Sequence, residues 1–214
     1  MTRKHGMRAV AFIATSVLIV ATAPLIDATT LRRMDFSEVV GTAERVVHAR
    51  VVDQRSYWDQ GLMQIFTDTT FDVIEEAKGE GPRQLTITLM GGRVGIIDTV
   101  VPGTPTFGIG DEAVLFTESR PDGRKHLVGL SQGAMRVIVD EETGARSAIS
   151  DAHAGVTYMA SEGGALRPAA APPSRRAPLA EVLNSVRDIA SGRRTPVMSD
   201  APDTPAKAPA GRGK

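Results

Sequence analysis

The sequence predicts a mainly β protein, a small antiparallel β-barrel with short flanking helices. Three observations predict it. Apolar residues recur at period two in six or so short runs between Val47 and Ile149. Clusters of Gly, Pro and Asp punctuate those runs at near-regular spacing, as in small barrels and sandwiches. Apolar residues at helical spacing are found before the first run and after the last.

Residues 1–28 read as a secretory signal peptide. Arg3, Lys4 and Arg8 precede an uncharged, mostly apolar run from Ala9 to Ala23, and small residues follow at Ala23 and Ala28. The run is about 15 residues long, short of the roughly 20 that span a bilayer. Thr15, Ser16 and Thr22 dilute it. Cleavage after Ala28 gives a mature chain beginning at Thr29, exported to a bacterial periplasm or to the exterior. Arg3-Lys4 is not a twin arginine, so the general secretory route is expected. An uncleaved signal is the one route to a membrane that this reading contains.

The barrel domain is expected over 29–160. Asp35-Phe36-Ser37-Glu38 has the form of a capping box, and Phe36, Val39, Val40 and Ala43 share one helical face. Val47, Ala49 and Val51 then alternate with His48, Arg50 and Val52, which places His48 on the outward side of a strand. Tyr57 and Trp58 lead into a turn at Asp59-Gln60-Gly61. From Met63 to Glu76, Ile65, Thr67, Thr69, Phe71 and Val73 share one strand face, and Phe66, Asp68, Thr70 and Asp72 the other. Lys78-Gly79-Glu80-Gly81-Pro82 is a turn, and Leu85, Ile87 and Leu89 mark the next strand. Gly91-Gly92, Gly95, Pro102-Gly103 and Pro105 predict an irregular, mobile stretch. Ala113 to Thr117, Leu127 to Gly129, Met135 to Val139 and Arg146 to Ile149 complete the strands, with glycines placed as at barrel corners and bulges.

Residues 161–177 read as a Pro- and Ala-rich linker, too poor in apolar surface to order itself. Over 178–191, Leu179, Val182, Leu183, Val186 and Ile189 follow helical spacing, with Pro178 at the first turn and Gly192 at the stop. This short amphipathic helix can dock on the barrel or bind a partner. Residues 192–214 read as a disordered basic tail.

The chain has no cysteine. Disulfides, thiolate zinc sites and a lipid-bearing cysteine are therefore excluded, and an exported fold must rest on its core. Formal charge balances overall, but residues 29–164 hold 13 Lys/Arg against 20 Asp/Glu, and residues 165–214 hold 9 against 4. An acidic body disfavours nucleic acid as a partner.

The order of a helix, "AERVVHARVV", "TDTTFDVIEEAKGEG", a Gly-rich loop, "FGIGDEAVLF" and "GLSQGAMRVIVD" resembles small exported bacterial proteins whose barrel is similar to the netrin-like, OB-type barrel of metalloproteinase inhibitors. Thr67–Gly81 and Phe107–Phe116 carry most of the resemblance, which spans residues 31–150. It implies an OB-like barrel. The inhibitors act through an N-terminal cysteine that this chain lacks, so the resemblance carries fold and not inhibition.

Gly129-Leu130-Ser131-Gln132-Gly133 matches the nucleophile elbow G-x-S-x-G, with Asp140 or Asp151 and His153 following in triad order. That chemistry needs a strand-to-helix turn, whereas Ala134–Val139 is a β-branched run. A glycine-flanked bend between two strands is the better reading. His48, His126 and His153 show no metal-ligand spacing. Asp68, Asp72 and Asp98 are scattered carboxylates of the kind that solvated strand faces carry. Tyr57 and Trp58 are adjacent aromatics in a chain with few; they pack at a barrel mouth or stack on a sugar ring or partner. The expectation is an exported, non-enzymatic binding module without metal or cofactor, which engages a protein or envelope component through its loops and its C-terminal helix, with Tyr57 and Trp58 as candidate binding residues. The alternatives are a serine- or metal-dependent hydrolase and a protease-inhibitor-like module.

Overall fold

A computed structural model describes residues 29–150, 156–162 and 165–193. The expected signal peptide and the tail beyond Arg193 lie outside the described residues. In chain order the elements are β1 (Thr29–Arg32), α1 (Phe36–Thr42), β2 (Arg45–Asp59), β3 (Gln64–Lys78), β4 (Gln84–Met90), β5 (Gly92–Val94), β6 (Ile97–Thr99), β7 (Glu112–Ser119) and β8 (Lys125–Leu127). A 3-10 turn (Leu130–Gly133) follows, then β9 (Ala134–Val139), β10 (Arg146–Ser150), β11 (Val156–Glu162), β12 (Ala165–Ala169), β13 (Arg175–Pro178) and α2 (Leu179–Ala190).

The main sheet is antiparallel, in the order β13-β10-β9-β7-β2-β3-β4. β8 pairs with β7 on the edge opposite β2, in line with β9. β4 and β8 come alongside each other, but strand pairing leaves the sheet open between them. β1 and the β11–β12 hairpin form a second sheet, and β5–β6 a separate small hairpin.

Two cores lie on the two faces of the main sheet. On one face, α1 and α2 cover the strands: Val39, Val40, Leu179, Val182, Leu183 and Val186 pack against Val46, Val114, Phe116, Met135, Val137 and Ala148. The α2 residues recur at i, i+3, i+4 and i+7, so one stripe of the helix is buried. Each such side chain contributes about 1.5–3 kcal/mol when fully enclosed. The rings of Phe36 and Phe116 meet edge to face at 5.8 Å. The other face curls around Val47, Ala49, Val51, Phe71, Leu85, Ile87, Leu89, Ala113, Leu115 and Leu127. Val47, Phe71, Leu115 and Val137 are buried, as their alternation predicts.

The β2–β3 ribbon is longer than the turn signals suggested, because β-bulges keep its two faces in phase over 15 residues a strand. Val52 and Ile74 are the extra residues at two of the register shifts, and both are exposed. The ribbon's far end ties down α1. The Lys78 ammonium donates to the carbonyls of Val40, Gly41 and Ala43 at 2.7, 3.2 and 2.6 Å, closing the helix C-terminus with a cation. Asp35 has the extended backbone of an N-cap, but its side chain makes no capping hydrogen bond. Glu38 does not close a capping box and instead pairs with Arg32 at 2.5 Å.

α2 docks on the sheet and ends where the sequence indicates, with Gly192 at a φ of 73° and its N–H donating to Ile189. Arg187 bonds the Glu75 carboxylate and the Glu76 carbonyl, fastening the helix to β3. Within 161–177 the structure places β12 and the start of β13. β13 adds to the β10 edge through backbone pairing and buries Ala177, so a segment poor in apolar side chains is ordered by an edge that supplies its partners.

His48 corrects the sequence reading. It is 1% exposed, because its strand face, shared with Val46, is the one that α1 and α2 cover. Alternation identified two faces of β2 but could not show that both are buried.

Candidate functional site

Tyr57 and Trp58 sit near the tip of the β2–β3 ribbon and point to opposite faces. Tyr57 pairs in register with Phe66, its ring 6.4 Å away, and its hydroxyl lies 3.5 Å from Asp68 Oδ1. Burial, then the Asp68 charge, pushes the phenol above its ordinary value. Asp68 Oδ1 also accepts a hydrogen bond from Thr88 at 2.7 Å. Trp58, opposite Ile65, is 42% exposed. The adjoining loop carries Leu62 and Met63, 62% and 71% exposed. Met63 has a φ of 51°, a conformation costly for a side chain other than glycine. Asp59 Oδ1 orders the turn by accepting from the N–H groups of Gly61 and Leu62, both at 3.0 Å.

One arginine holds this tip against the β7–β8 loop. The Arg124 guanidinium donates to Asp59 Oδ2 at 3.0 Å and lies 5.4 Å over the Phe66 ring. The pairing lowers the Asp59 carboxyl from its ordinary value and raises the guanidinium. Beneath the contact is a cleft of about 300 Å³ at the β4–β8 approach, with Leu62, Phe66, Met90, Leu127 and Leu130 among its walls. His126 also lines it, its Nε2 3.4 Å from Asp122 Oδ2 without hydrogen-bond alignment. The Arg124 N–H, and then His126, hold the Asp122 carboxyl low.

The loop 100–107 crosses the inner face of the sheet. Phe107 stacks edge to face on Phe71 at 5.3 Å, Pro105 is buried, and the Gly103 carbonyl accepts from the Ser131 N–H at 3.0 Å. The chain enters this region through Gly91 and Gly92. A Cβ on Gly92 would lie 2.1 Å from Thr67 Oγ1 and 2.7 Å from Ser56 Oγ, so the close approach of β5 to the ribbon requires glycine. The stretch expected to be irregular therefore contains a packed hairpin and a plug.

Ser131 lies in the 3-10 turn between β8 and β9, behind Gly129 at a φ of 59°, and no helix follows it. It is 4% exposed, and its hydroxyl has no hydrogen-bond partner among the described residues. Asp140 is engaged within its own turn, accepting from Thr143. His153 and Asp151 lie outside the described residues. Among the described residues no group of three or more His, Asp or Glu side chains is arranged to hold a metal ion.

One buried charge cluster carries no local signal in the sequence. Glu112 accepts from His48 Nε2 at 2.9 Å and from Arg50 at 2.5 and 3.1 Å, with Arg146 4.0 Å away. Burial works against ionisation, but the bonds from Arg50 and His48 overcome it and lower the Glu112 carboxyl. His48 and Glu112 are 64 residues apart and meet only because β2 pairs with β7. A buried pair of this kind costs desolvation that its attraction only partly returns, so it is weak evidence of added stability.

Protein-family models, curated proteins and solved structures all fail to give a significant match to this chain.

Proposed function

We propose that this protein is an exported, non-enzymatic binding module that engages a protein or another envelope component through the tip of its β2–β3 ribbon. The observation that carries this reading is the exposure of Trp58, Leu62 and Met63 together on one tip. Large apolar side chains in contiguous exposure are the usual anchors of an interface. Arg124 and Asp59 make the tip rigid before any partner arrives, which lowers the ordering cost of binding.

The strand order supports an OB-type barrel as the scaffold. β2, β3 and β4 form a meander, β2 pairs with β7, β7 pairs with β8, and β8 lies beside β4. Export rests on residues 1–28, and the mature protein then begins at Thr29, which intact-mass analysis of the exported product reads directly.

The binding reading is tested with a photocrosslinking residue at position 62 in the mature protein. It should capture one partner from envelope extract, and a crosslinker in the Glu141-Glu142 turn should not. Trp58→Ala with Met63→Ser should abolish capture while leaving a cooperatively folded protein in denaturant melts. Equal capture from both positions, or capture indifferent to the substitutions, contradicts the reading.

A further inference from the structure

The β2–β3 ribbon leaves one long backbone edge without a partner. β7 pairs with β2 over 45–50, and Val51 bonds Gly110 and Asp111 of the next loop. Beyond the bulge at Val52, residues 53–59 pair with β3 alone among the described residues. The ladder fixes which groups are left over. The Gly91 N–H bonds Ile65 and the Val73 N–H bonds Arg83, so odd residues of β3 bond β4 and even ones bond β2. Phe66, Asp68 and Thr70 stand opposite Tyr57, Arg55 and Asp53. The N–H and C=O groups of Gln54, Ser56 and Trp58 therefore point away from β3, and none has a hydrogen-bond partner among the described residues.

Natural sheets protect such edges. β13, at one end of the main sheet, is four residues long and carries Arg175, Arg176 and Pro178. β4, at the other end, lies beside β8. Over 53–59 there is no proline, no lysine and no bulge. Gln54, Ser56 and Trp58 share the loop-covered face with Ile65, Thr67 and Thr69. On that face Trp58 is exposed, and the β5–β6 hairpin, packed on the ribbon at Ser56 and Thr67, leaves Ile96 and Ile97 exposed. On the opposite face Asp53 and Arg55 are exposed and make no ion pair with a described residue. A row of free amide and carbonyl groups at strand spacing is matched by another extended backbone.

We propose that a partner polypeptide adds an extended segment to this edge as a strand, its backbone bonding Gln54, Ser56 and Trp58. This assignment rests on the ribbon-tip reading and specifies the tip's partner. Every second side chain of the segment is apolar and faces Trp58 and the hairpin. The alternate side chains lie beside Asp53 and Arg55, where a basic and an acidic residue complete the pairs. A second copy of this chain is the poorer occupant. Antiparallel pairing of two such edges through all three residues sets Ser56 against Ser56 and Asp53 against Asp59, placing like charges directly opposite at both ends.

The test takes the mature protein with the photocrosslinking residue at position 62, links it in envelope extract, and reads amide hydrogen exchange residue by residue in the free protein and the adduct. In the free protein the Gln54, Ser56 and Trp58 amides should exchange fast, and the Arg55 and Tyr57 amides, bonded to β3, slowly. In the adduct the first three should slow at least about tenfold and the other two should not change, so that protection alternates. Ser56→Pro removes one outward N–H where an edge strand accepts proline, and should cut capture at least about tenfold. Ser56→Ala keeps the amide and should lose less than about threefold. The exchange pattern needs no substitution, so it decides even where Ser56→Pro unfolds. Slow exchange of all five amides in the free protein, an adduct without alternating protection, or equal capture by the two folded variants would overturn strand addition and leave the ribbon tip as the binding site. An adduct of two copies of this chain would overturn a partner polypeptide. Absence of capture by the parent protein would defeat the ribbon-tip reading itself, and strand addition with it.

Discussion

The two faces of the main sheet are closed in different ways. On one, α1 and α2 present regular apolar stripes that enclose Val40, Val46, Val114, Val182 and Val186; Val47, Phe71, Ile87 and Leu115 are enclosed as fully on the other. On the other, an irregular loop does the closing. Phe107 and Pro105 reach the core, but clefts remain on either side of the loop, and Thr104 and Ser131 keep hydroxyls without partners. Helices cover a sheet with little void because their side chains interdigitate at fixed spacing. A loop must also satisfy its own backbone, and it leaves room. The comparison teaches where this fold is stability and where it is available for binding.

The largest expected effects test that contrast directly. Phe116 belongs to the helix-covered core and Phe71 to the loop-covered one, and both are essentially unexposed. Each truncation to alanine should cost about 3–5 kcal/mol. Phe116→Ala should fall at the upper end, since rigid helices cannot collapse into the cavity, and Phe71→Ala at the lower end, since Phe107 can move. Denaturant melts read the difference, and the reverse order would break the comparison.

A smaller effect contrasts two positions of one turn. A Cβ on Gly133 would lie 2.4 Å from the Val128 carbonyl oxygen and 2.7 Å from its nitrogen, both backbone atoms. Gly133→Ala should therefore cost about 1–3 kcal/mol. Ser131→Ala, two residues away, should fall within about 0.5 kcal/mol of the parent protein.

How much of this was legible in the sequence depended on the range of the interaction. Period-two alternation identified Val47, Phe71, Leu115 and Val137 as core residues, and helical spacing identified the buried stripe of α2, because both signals are local. Gly129 and Gly133 were identified as a bend, not an elbow, because β-branched residues follow them. What could not be read was non-local. Alternation places His48 outward, because nothing in β2 says that two helices will cover that face. Arg175–Ala177 of β13 read as linker, because their order comes from the β10 edge. Tyr57 and Trp58 stand out as a pair, but Leu62 and Met63 do not, since exposure of a loop residue depends on what packs beside it.

The smallest effect concerns the charge cluster under the helix-covered face. The Glu112 carboxyl is lowered from an ordinary value of 4.5 by Arg50 and His48, against burial. Its contribution is fully present above that ordinary value and is lost as pH falls through the lower folded value. Glu112→Gln should flatten the acid limb of the stability profile below about pH 4.5 and lower stability at neutral pH, where Arg50 and His48 lose the carboxylate charge and one of its two acceptor oxygens. An unchanged acid limb would show that the cluster does not couple protonation to folding.

Native-state hydrogen exchange tests the central contrast most directly. The Ser131 amide, bonded to Gly103 on the loop, reports opening of the inner face, while the Val46 and Val47 amides in β2 report the sheet beneath the helices. The account predicts that Ser131 exchanges through a local opening insensitive to low denaturant, on the order of a hundredfold faster than β2. Exchange of all three amides with one common dependence on denaturant would mean that loop and helices close the fold equally, and would contradict it.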